Sequence, residues 1–275
     1  MNSKSITWVV ESSAFPDSYS AFTRAMRDLG HQVLEWQDEW WEQGGGPDLE
    51  GQVALFHGSL GNADRIARTL AWVPGSFCDT TAFECTSWYE RARGWLLHRE
   101  WVHTTVGALT KDPLGLVGHL ARDGQVFVRP NSPLKPFSGR VCSLDRLTLE
   151  ALDFGFYYDD PETPVVVAHT QQVGREWRFV VVNGRVVAGS GYVADGRIAS
   201  RLESHASRQL ADEIAARIAA PEPVYVLDVC EVAGELRLLE LNPFSGADLY
   251  GCDPISTIDG VAGIALEIAG ARVDT

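Results

Sequence analysis

Lysine is nearly missing from this chain. Of 23 basic residues only Lys4, Lys111 and Lys135 are lysines, so any chemistry that needs an amine side chain has three candidates. Positive charge is scarce overall: 37 acidic side chains give a net charge of −14. That balance repels phosphate backbones and anionic lipid, which excludes nucleic acid or a membrane surface as the primary partner. An acidic surface either attracts a cationic substrate mildly or simply keeps the protein soluble. Five cysteines, Cys78, Cys85, Cys142, Cys230 and Cys252, are scattered with no C-x-x-C pair. The odd count argues against a disulfide framework or a zinc site and fits reduced thiols in a cytoplasmic protein. Low-complexity tracts and internal repeats are also lacking, and no stretch is expected to approach a membrane span. The first residues, MNSKSITWVV, read as a leading strand rather than a signal peptide.

What is present suffices for a sizeable core. The chain has 275 residues, 45% of them hydrophobic, enough for two packed units. The beginning reads β-α-β. Ile6 to Val10 form a buried strand, and Phe22, Ala25, Met26 and Leu29 line one helix face at i, i+3, i+4, i+7. Gly30 stops that helix, and Gln32 to Trp36 return as a strand. A linker at Gly44-Gly45-Gly46-Pro47 precedes the strand QVALFHG and a helix carrying Ile66 and Leu70. Alternating strands and helices predict a parallel sheet. The turn Gly58-Ser59-Leu60-Gly61 is either a plain connection or a cradle of N–H groups for an anion.

From Arg99 the texture changes. A helical stretch is expected to Leu120, followed by the strand GQVFVRP and the loop NSPLKPFSG. SLDRLTLEALDFG reads as a helix, PVVVAH as a strand. Asn183-Gly184 between two β-rich runs predicts a hairpin over Arg175 to Val193. A helix with Leu210, Ile214 and Ile218 follows. VYVLDVCEV and LRLLELNPF form a second hairpin turning at Ala233-Gly234, and an apolar helix closes the chain near Ile264. The second part is therefore α+β with antiparallel hairpins. The expected segments are 1–98 and 99–275.

Three constellations carry chemistry. Glu240 and Asn242 are two apart on one strand and share a face, and the turn at Ala233-Gly234 brings Asp228 almost opposite Glu240. Oxygen ligands converging in an apolar context suit a hard cation such as Mg²⁺; a solvated acidic face is the bland alternative. Arg129 at a strand end and Lys135 in the next loop bring two positive charges near Ser138-Gly139, where backbone N–H groups approach phosphate. The G-x-x-x-x-G-K pattern is absent. Glu176 and Arg178 alternate with Trp177 and Phe179 and so face one side. They suit ribose hydroxyls and a transferring phosphoryl group respectively, or a solvent face.

In order and content these pieces resemble the ATP-grasp superfamily across Arg99 to Thr275. The Gly-x-acid-x-Arg run followed by FVVVNGRVVAGS is similar to the ribosomal-protein glutamate ligase branch. The resemblance is closest to a clade with arginine in place of the usual phosphate-binding lysine. Arg129, Lys135, Glu176-Trp177-Arg178-Phe179, Gly189-Ser190-Gly191-Tyr192 and Glu240-Leu241-Asn242-Pro243-Phe244 carry it. It implies a Rossmann-like N-terminal domain before two α+β lobes, with ATP between the lobes. Arg129, Lys135, Ser138 and Gly139 would then meet the phosphates, and Glu176 the ribose. Backbone groups of Val166, Val167 and Ala168 would read adenine. Asp228, Glu240 and Asn242 would hold two Mg²⁺ ions, and Arg178 and Lys135 would serve catalysis. Tyr192, Ser245 and Tyr250 would contact the substrates. The implied activity activates a carboxylate as an acyl phosphate and joins it to an amine, releasing ADP. A small-molecule kinase and a nucleotide-binding module without turnover are the alternatives. The sequence names neither the acid nor the amine, and it leaves the oligomeric state open.

Overall fold

The structure is a computed structural model that describes residues 5–44, 46–49, 51–152, 160–194, 197–201 and 203–273. It packs as two compact units. One comprises Met1–Asp79, Gly174–Cys230 and Leu239–Thr275, the other Thr80–Val173 and Glu231–Leu238. The segments 1–98 and 99–275 stand as a proposal about chain order; packing groups the residues otherwise.

The chain opens with β1 (Thr7–Val10), α1 (Pro16–Asp28), β2 (Gln32–Glu35), β3 (Val53–His57), α2 (Leu60–Thr69) and β4 (Val73–Gly75). The strands form a parallel sheet in the order β2-β1-β3-β4, as the alternation of strand and helix predicts. Pro16 begins α1, where its missing N–H is one of the groups no helix satisfies. Phe22, Ala25 and Met26 are its buried face. Gly30, at φ +83°, then reverses the chain in a conformation costly for other residues. Gly45, in the expected linker, lies outside the described residues.

The next elements are α3 (Cys85–Ala92), β5 (Trp101–Thr105), α4 (Val106–Lys111), α5 (Pro113–Val117), β6 (Gln125–Pro130), β7 (Arg140–Ser143), α6 (Leu149–Leu152) and β8 (Pro164–His169). They build an antiparallel sheet ordered β5-β8-β6-β7. Two expectations are corrected here. Trp101–Thr105 is a strand, since β-branched Val102, Thr104 and Thr105 favour extended backbone, and helix begins only at Val106. The helix expected over Ser143 to Gly155 breaks into a 3₁₀ turn, Leu144–Arg146, and the short α6. Its final residues, Asp153 to Gly155, lie outside the described residues.

The last stretch holds β9 (Glu176–Val182), β10 (Arg185–Ala194), β11 (Arg197–Arg201), α7 (His205–Arg217), β12 (Val224–Val232), β13 (Glu235–Pro243) and α8 (Pro254–Val273). The sheet order is β11-β10-β9-β12-β13. Both expected hairpin turns have two consecutive residues at positive φ, Asn183 and Gly184 at 46° and 71°, Ala233 and Gly234 at 50° and 81°. That pair of angles matches the twist of the flanking strands. One face of this sheet is divided. Val180, Val182, Ala188, Val224 and Val226 join Ile6, Trp8, Val10 and Phe22 in an apolar core capped by Ile258, Val261 and Ala265 of α8. Each such aliphatic chain contributes about 1.5–3 kcal/mol by leaving water. Farther along the same strands that face turns polar.

Among the described residues, α8 contains one 18-residue window, Pro254–Ala271, long and apolar enough to cross a membrane by length and composition. This corrects the expectation that no stretch approaches a span. The helix nonetheless spends Ile258, Val261, Ala262, Ile264 and Ala265 on the core.

Candidate active site

The polar half of that sheet face is built by register. Arg178 on β9 pairs with Asp228 on β12 and with Ser190 on β10, while Glu176 pairs with Cys230. The Arg178 guanidinium forks onto the Asp228 carboxylate, Nε to Oδ1 at 2.8 Å and Nη2 to Oδ2 at 2.7 Å. Nη1 donates to the Asp248 carbonyl at 2.7 Å. Asp228 is 0% exposed and Arg178 7%. Burial alone pulls the guanidinium pKa down, but the Asp228 charge and hydrogen bonds hold it well above its ordinary range. Arg178 was expected as a cation for a transferring phosphoryl group. Here Nε and Nη2 are engaged by Asp228 and Nη1 by the Asp248 carbonyl, which gives the side chain a positioning role toward Asp228; its phosphoryl role stands as a proposal.

Asn242 joins the pair, its Nδ2 donating to Asp228 Oδ2 at 3.3 Å. Beside them Tyr192 donates its hydroxyl to Glu176 Oε2 at 2.6 Å. Burial raises the Glu176 pKa; the Tyr192 hydrogen bond opposes this, and the charges of Asp228 and Glu240 push it up further. The rings of Tyr192 and Tyr250 stack with centroids 4.7 Å apart and planes 1° from parallel. Arg178 Cζ lies 5.4 and 5.2 Å from the two centroids. Tyr250 holds this position at φ +46°, strained for a bulky residue, with its N–H on Asp248 Oδ1 at 2.9 Å.

The carboxylates of Asp228 and Glu240 thus act on that of Glu176, against the single charge of Arg178. That excess of half-buried negative charge, with an amide oxygen at Asn242, fits a divalent hard cation. Among the described residues no group of three or more His, Cys, Asp and Glu side chains is arranged to hold a metal. The expected set has two acids and an amide.

Ser245 is fully buried, which corrects its expected contact with substrate. Its hydroxyl accepts from the Phe77 N–H at 2.9 Å, and its carbonyl accepts from the Gly58 N–H at 2.9 Å. The segment after β13 is therefore tied to the carboxyl end of the parallel sheet. His57 Nε2 donates to the Ala247 carbonyl at 3.1 Å, and Ser18 donates to Asp248 at 3.1 Å. The turn Gly58 to Gly61 does meet an anion, but one from the protein itself. Glu11 Oε2 accepts from Ser59 N at 2.8 Å, Ser59 Oγ at 2.7 Å and Asn62 Nδ2 at 3.1 Å.

In the second unit, β6 alternates between its two faces. Val126 and Val128 enter the core, while Phe127 and Arg129 lie on the opposite face. The backbone at Gly139 presses on that face: a Cβ there would stand 2.8 Å from the Phe127 ring and 3.3 Å from Arg129 Cβ. Arg129, Ser138 and Gly139 are thus brought together. Arg129 Nη1 donates to the Tyr89 hydroxyl at 3.4 Å, a contact from α3 that sequence reasoning missed. Lys135 stands exposed at the loop tip at φ +48°. Val166, Val167 and Ala168 belong to the central strand β8, paired with β5 on one side and β6 on the other. Their backbone groups are committed to the sheet, which corrects the expectation that they read adenine. Backbone outside the ladders starts after His169.

A family model described as the ATP-grasp domain, R-2-K clade family 2, matches residues 96–259. Comparison with the curated proteins finds no match. Among solved structures, D-cycloserine synthetase DcsG is similar at TM-score 0.65 and 16% identity, over 95% of this chain and 99% of that one. D-alanine–D-alanine ligase from Bacillus anthracis, complexed with ATP, follows at TM-score 0.61 and 15% identity, over 98% and 99%. A RimK domain protein ATP-grasp from Sphaerobacter thermophilus stands at 0.56 and 13%, over 98% of each chain. At such identities the likeness concerns the fold.

Proposed function

Since the chain belongs to family 2 of this clade of ATP-grasp domains, we propose that it is an ATP-dependent ligase joining a carboxylate to an amine through an acyl phosphate. The observation that carries this reading is the acid-rich sheet face where Glu176, Asp228, Glu240 and Asn242 gather around Arg178. The solved relatives named as a synthetase and a ligase favour it as well.

Bound ATP supplies the phosphoryl group, and Mg²⁺ supplies the charge that lets phosphate approach the carboxylates. Glu240, Asn242 and Asp228 are the residues that would hold the metal. Arg178 orients Asp228 through its fork, and Tyr192 holds Glu176 for the nucleotide sugar. In the second unit Arg129 neutralises phosphate, with the backbone at Ser138 and Gly139 offering N–H donors and Lys135 a further charge. Tyr192 and Tyr250 border the place where acid and amine meet. Phosphoryl transfer asks little more of a protein than positioning and neutralisation.

The test uses purified protein, ATP, Mg²⁺ and a panel of amino acids and other carboxylic acids, with hydroxylamine as the trap. An acyl phosphate gives a hydroxamate together with ADP, and Glu240→Gln abolishes both while keeping the fold. ADP with a stable phosphorylated alcohol would make the protein a kinase. Binding of ATP without turnover across the panel would favour a nucleotide-binding module, and AMP as the sole product would overturn the ligase and kinase readings together.

A further inference from the structure

His98 sits between α3 and β5 and is only 6% exposed. Its imidazole stacks on Phe127 with centroids 5.0 Å apart and planes 18° from parallel, and meets the edge of His169 at 5.9 Å. Nδ1 is buried with no hydrogen-bond partner. A nitrogen left unpaired in this way is costly, typically about 1–3 kcal/mol, and calls for an explanation. Three facts locate it. Phe127 and Arg129 share one face of β6, the Gly139 backbone lies against both, and the Arg129 charge acts on His98. Burial, with His169 and Arg129 adding to it, holds the imidazole pKa down at about 3, so the ring is neutral at any working pH. A neutral ring carries one N–H and adds no charge beside Arg129.

We propose that His98 is a nucleotide-contacting residue whose Nδ1–H donates to a phosphate oxygen of the nucleotide that Arg129 neutralises. This rests on the ATP reading above. Stacking on Phe127 restricts the ring, so little side-chain entropy is lost on binding, and the enclosed Nδ1 meets the ligand once the contacts around it open. Arg129 supplies charge, which any anion satisfies; His98 supplies direction.

Calorimetric titration of the full chain with ATP, ADP and adenosine tests the assignment. His98→Phe keeps an aromatic ring on Phe127 and removes the donor. It should weaken ATP and ADP binding about tenfold while leaving adenosine unchanged. His98→Asn, with an amide near the Nδ1 position, should recover part of the loss. Thermal melts identify any variant that fails to fold, in which case the Asn variant alone is read: its ATP and ADP affinities should lie below wild type, again with adenosine unchanged. ATP affinity within about twofold of wild type in a folded His98 variant, while Arg129→Ala binds more weakly, overturns the His98 role alone. Equal losses for adenosine and ATP overturn the phosphate contact. Unchanged ATP affinity in Arg129→Ala removes the nucleotide reading on which the proposal rests.

Discussion

Arg178 and Asp228, 50 residues apart in sequence, meet as a two-pronged buried ion pair at 2.8 and 2.7 Å. Removing one member leaves the other charged in a dry site. Arg178→Ala should therefore lower stability by about 3–5 kcal/mol. Asp228→Ala should lower it by a similar amount, and the double variant by much less than the sum. Urea denaturation of the four proteins checks this. Additive losses would mean that the pair is not coupled.

Gly58 has no room for a side chain. A Cβ there would stand 2.4 Å from Glu11 Cβ and 2.7 Å from Glu11 Oε2. Gly58→Ala must displace the carboxylate that binds Ser59 and Asn62, so about 1–3 kcal/mol of stability should be lost. Chemical denaturation measures it, and a wild-type midpoint would show that Glu11 moves freely.

Stability should depend on pH in two windows of opposite sign. Burial, against a hydrogen bond from Asp79 and with its charge, pushes the Glu222 carboxyl up to about 8. Above the ordinary carboxylate range the folded chain keeps a proton that the unfolded chain has lost, so this group subtracts stability as pH rises toward 8. Glu222→Gln should lose less stability than wild type between about pH 5 and 8.5, by about 1 kcal/mol or more. On the acid side, burial holds His57 down at about 4 and His98 at about 3. There the folded chain binds fewer protons than the unfolded one, and stability falls as pH drops below the ordinary histidine range. Urea midpoints across about pH 4–9 read both limbs.

Arg129 and Lys135 should contribute unequally to ATP binding. Arg129 is half-buried and held by Tyr89, whereas Lys135 is an exposed loop-tip charge screened by salt. Arg129→Ala should weaken ATP binding by about tenfold or more, and Lys135→Ala by a few-fold with strong salt dependence. Titrations at low and high salt separate them; the reverse order would exchange the two roles.

Much of this architecture was legible where the signal is local. Asn183-Gly184 announced one hairpin, Ala233-Gly234 the other, and the helical spacing of Phe22, Ala25 and Met26 marked α1. The sheet face bearing Asp228 and Asn242 followed from strand periodicity and one turn. What stayed hidden depends on pairing across distance. No local pattern says that β9 and β12 register Arg178 on Asp228, or that Glu11 reaches Ser59. The central place of β8 follows from neighbours that are remote in sequence, so its backbone wrongly seemed open to a ligand. Tyr89 and His98 carry no motif, and only their approach to Arg129 and Phe127 sets them apart.

The core that joins Ile6, Trp8, Val10, Phe22 and Met26 to Val180, Val226, Phe244, Ile258 and Ala265 spans chain regions far apart. The stretch that defines the family, residues 96–259, is thus not a portable piece. Cut away from the parallel sheet and α1, it would bare one side of β9 and β12, sever α8 after its first residues and release the segment tied to His57 and Gly58. Transplanting β9 and β12 onto another amino-terminal sheet would need compensating changes in both, because Val180 and Val226 pack directly into the core that Ile6, Trp8 and Val10 supply.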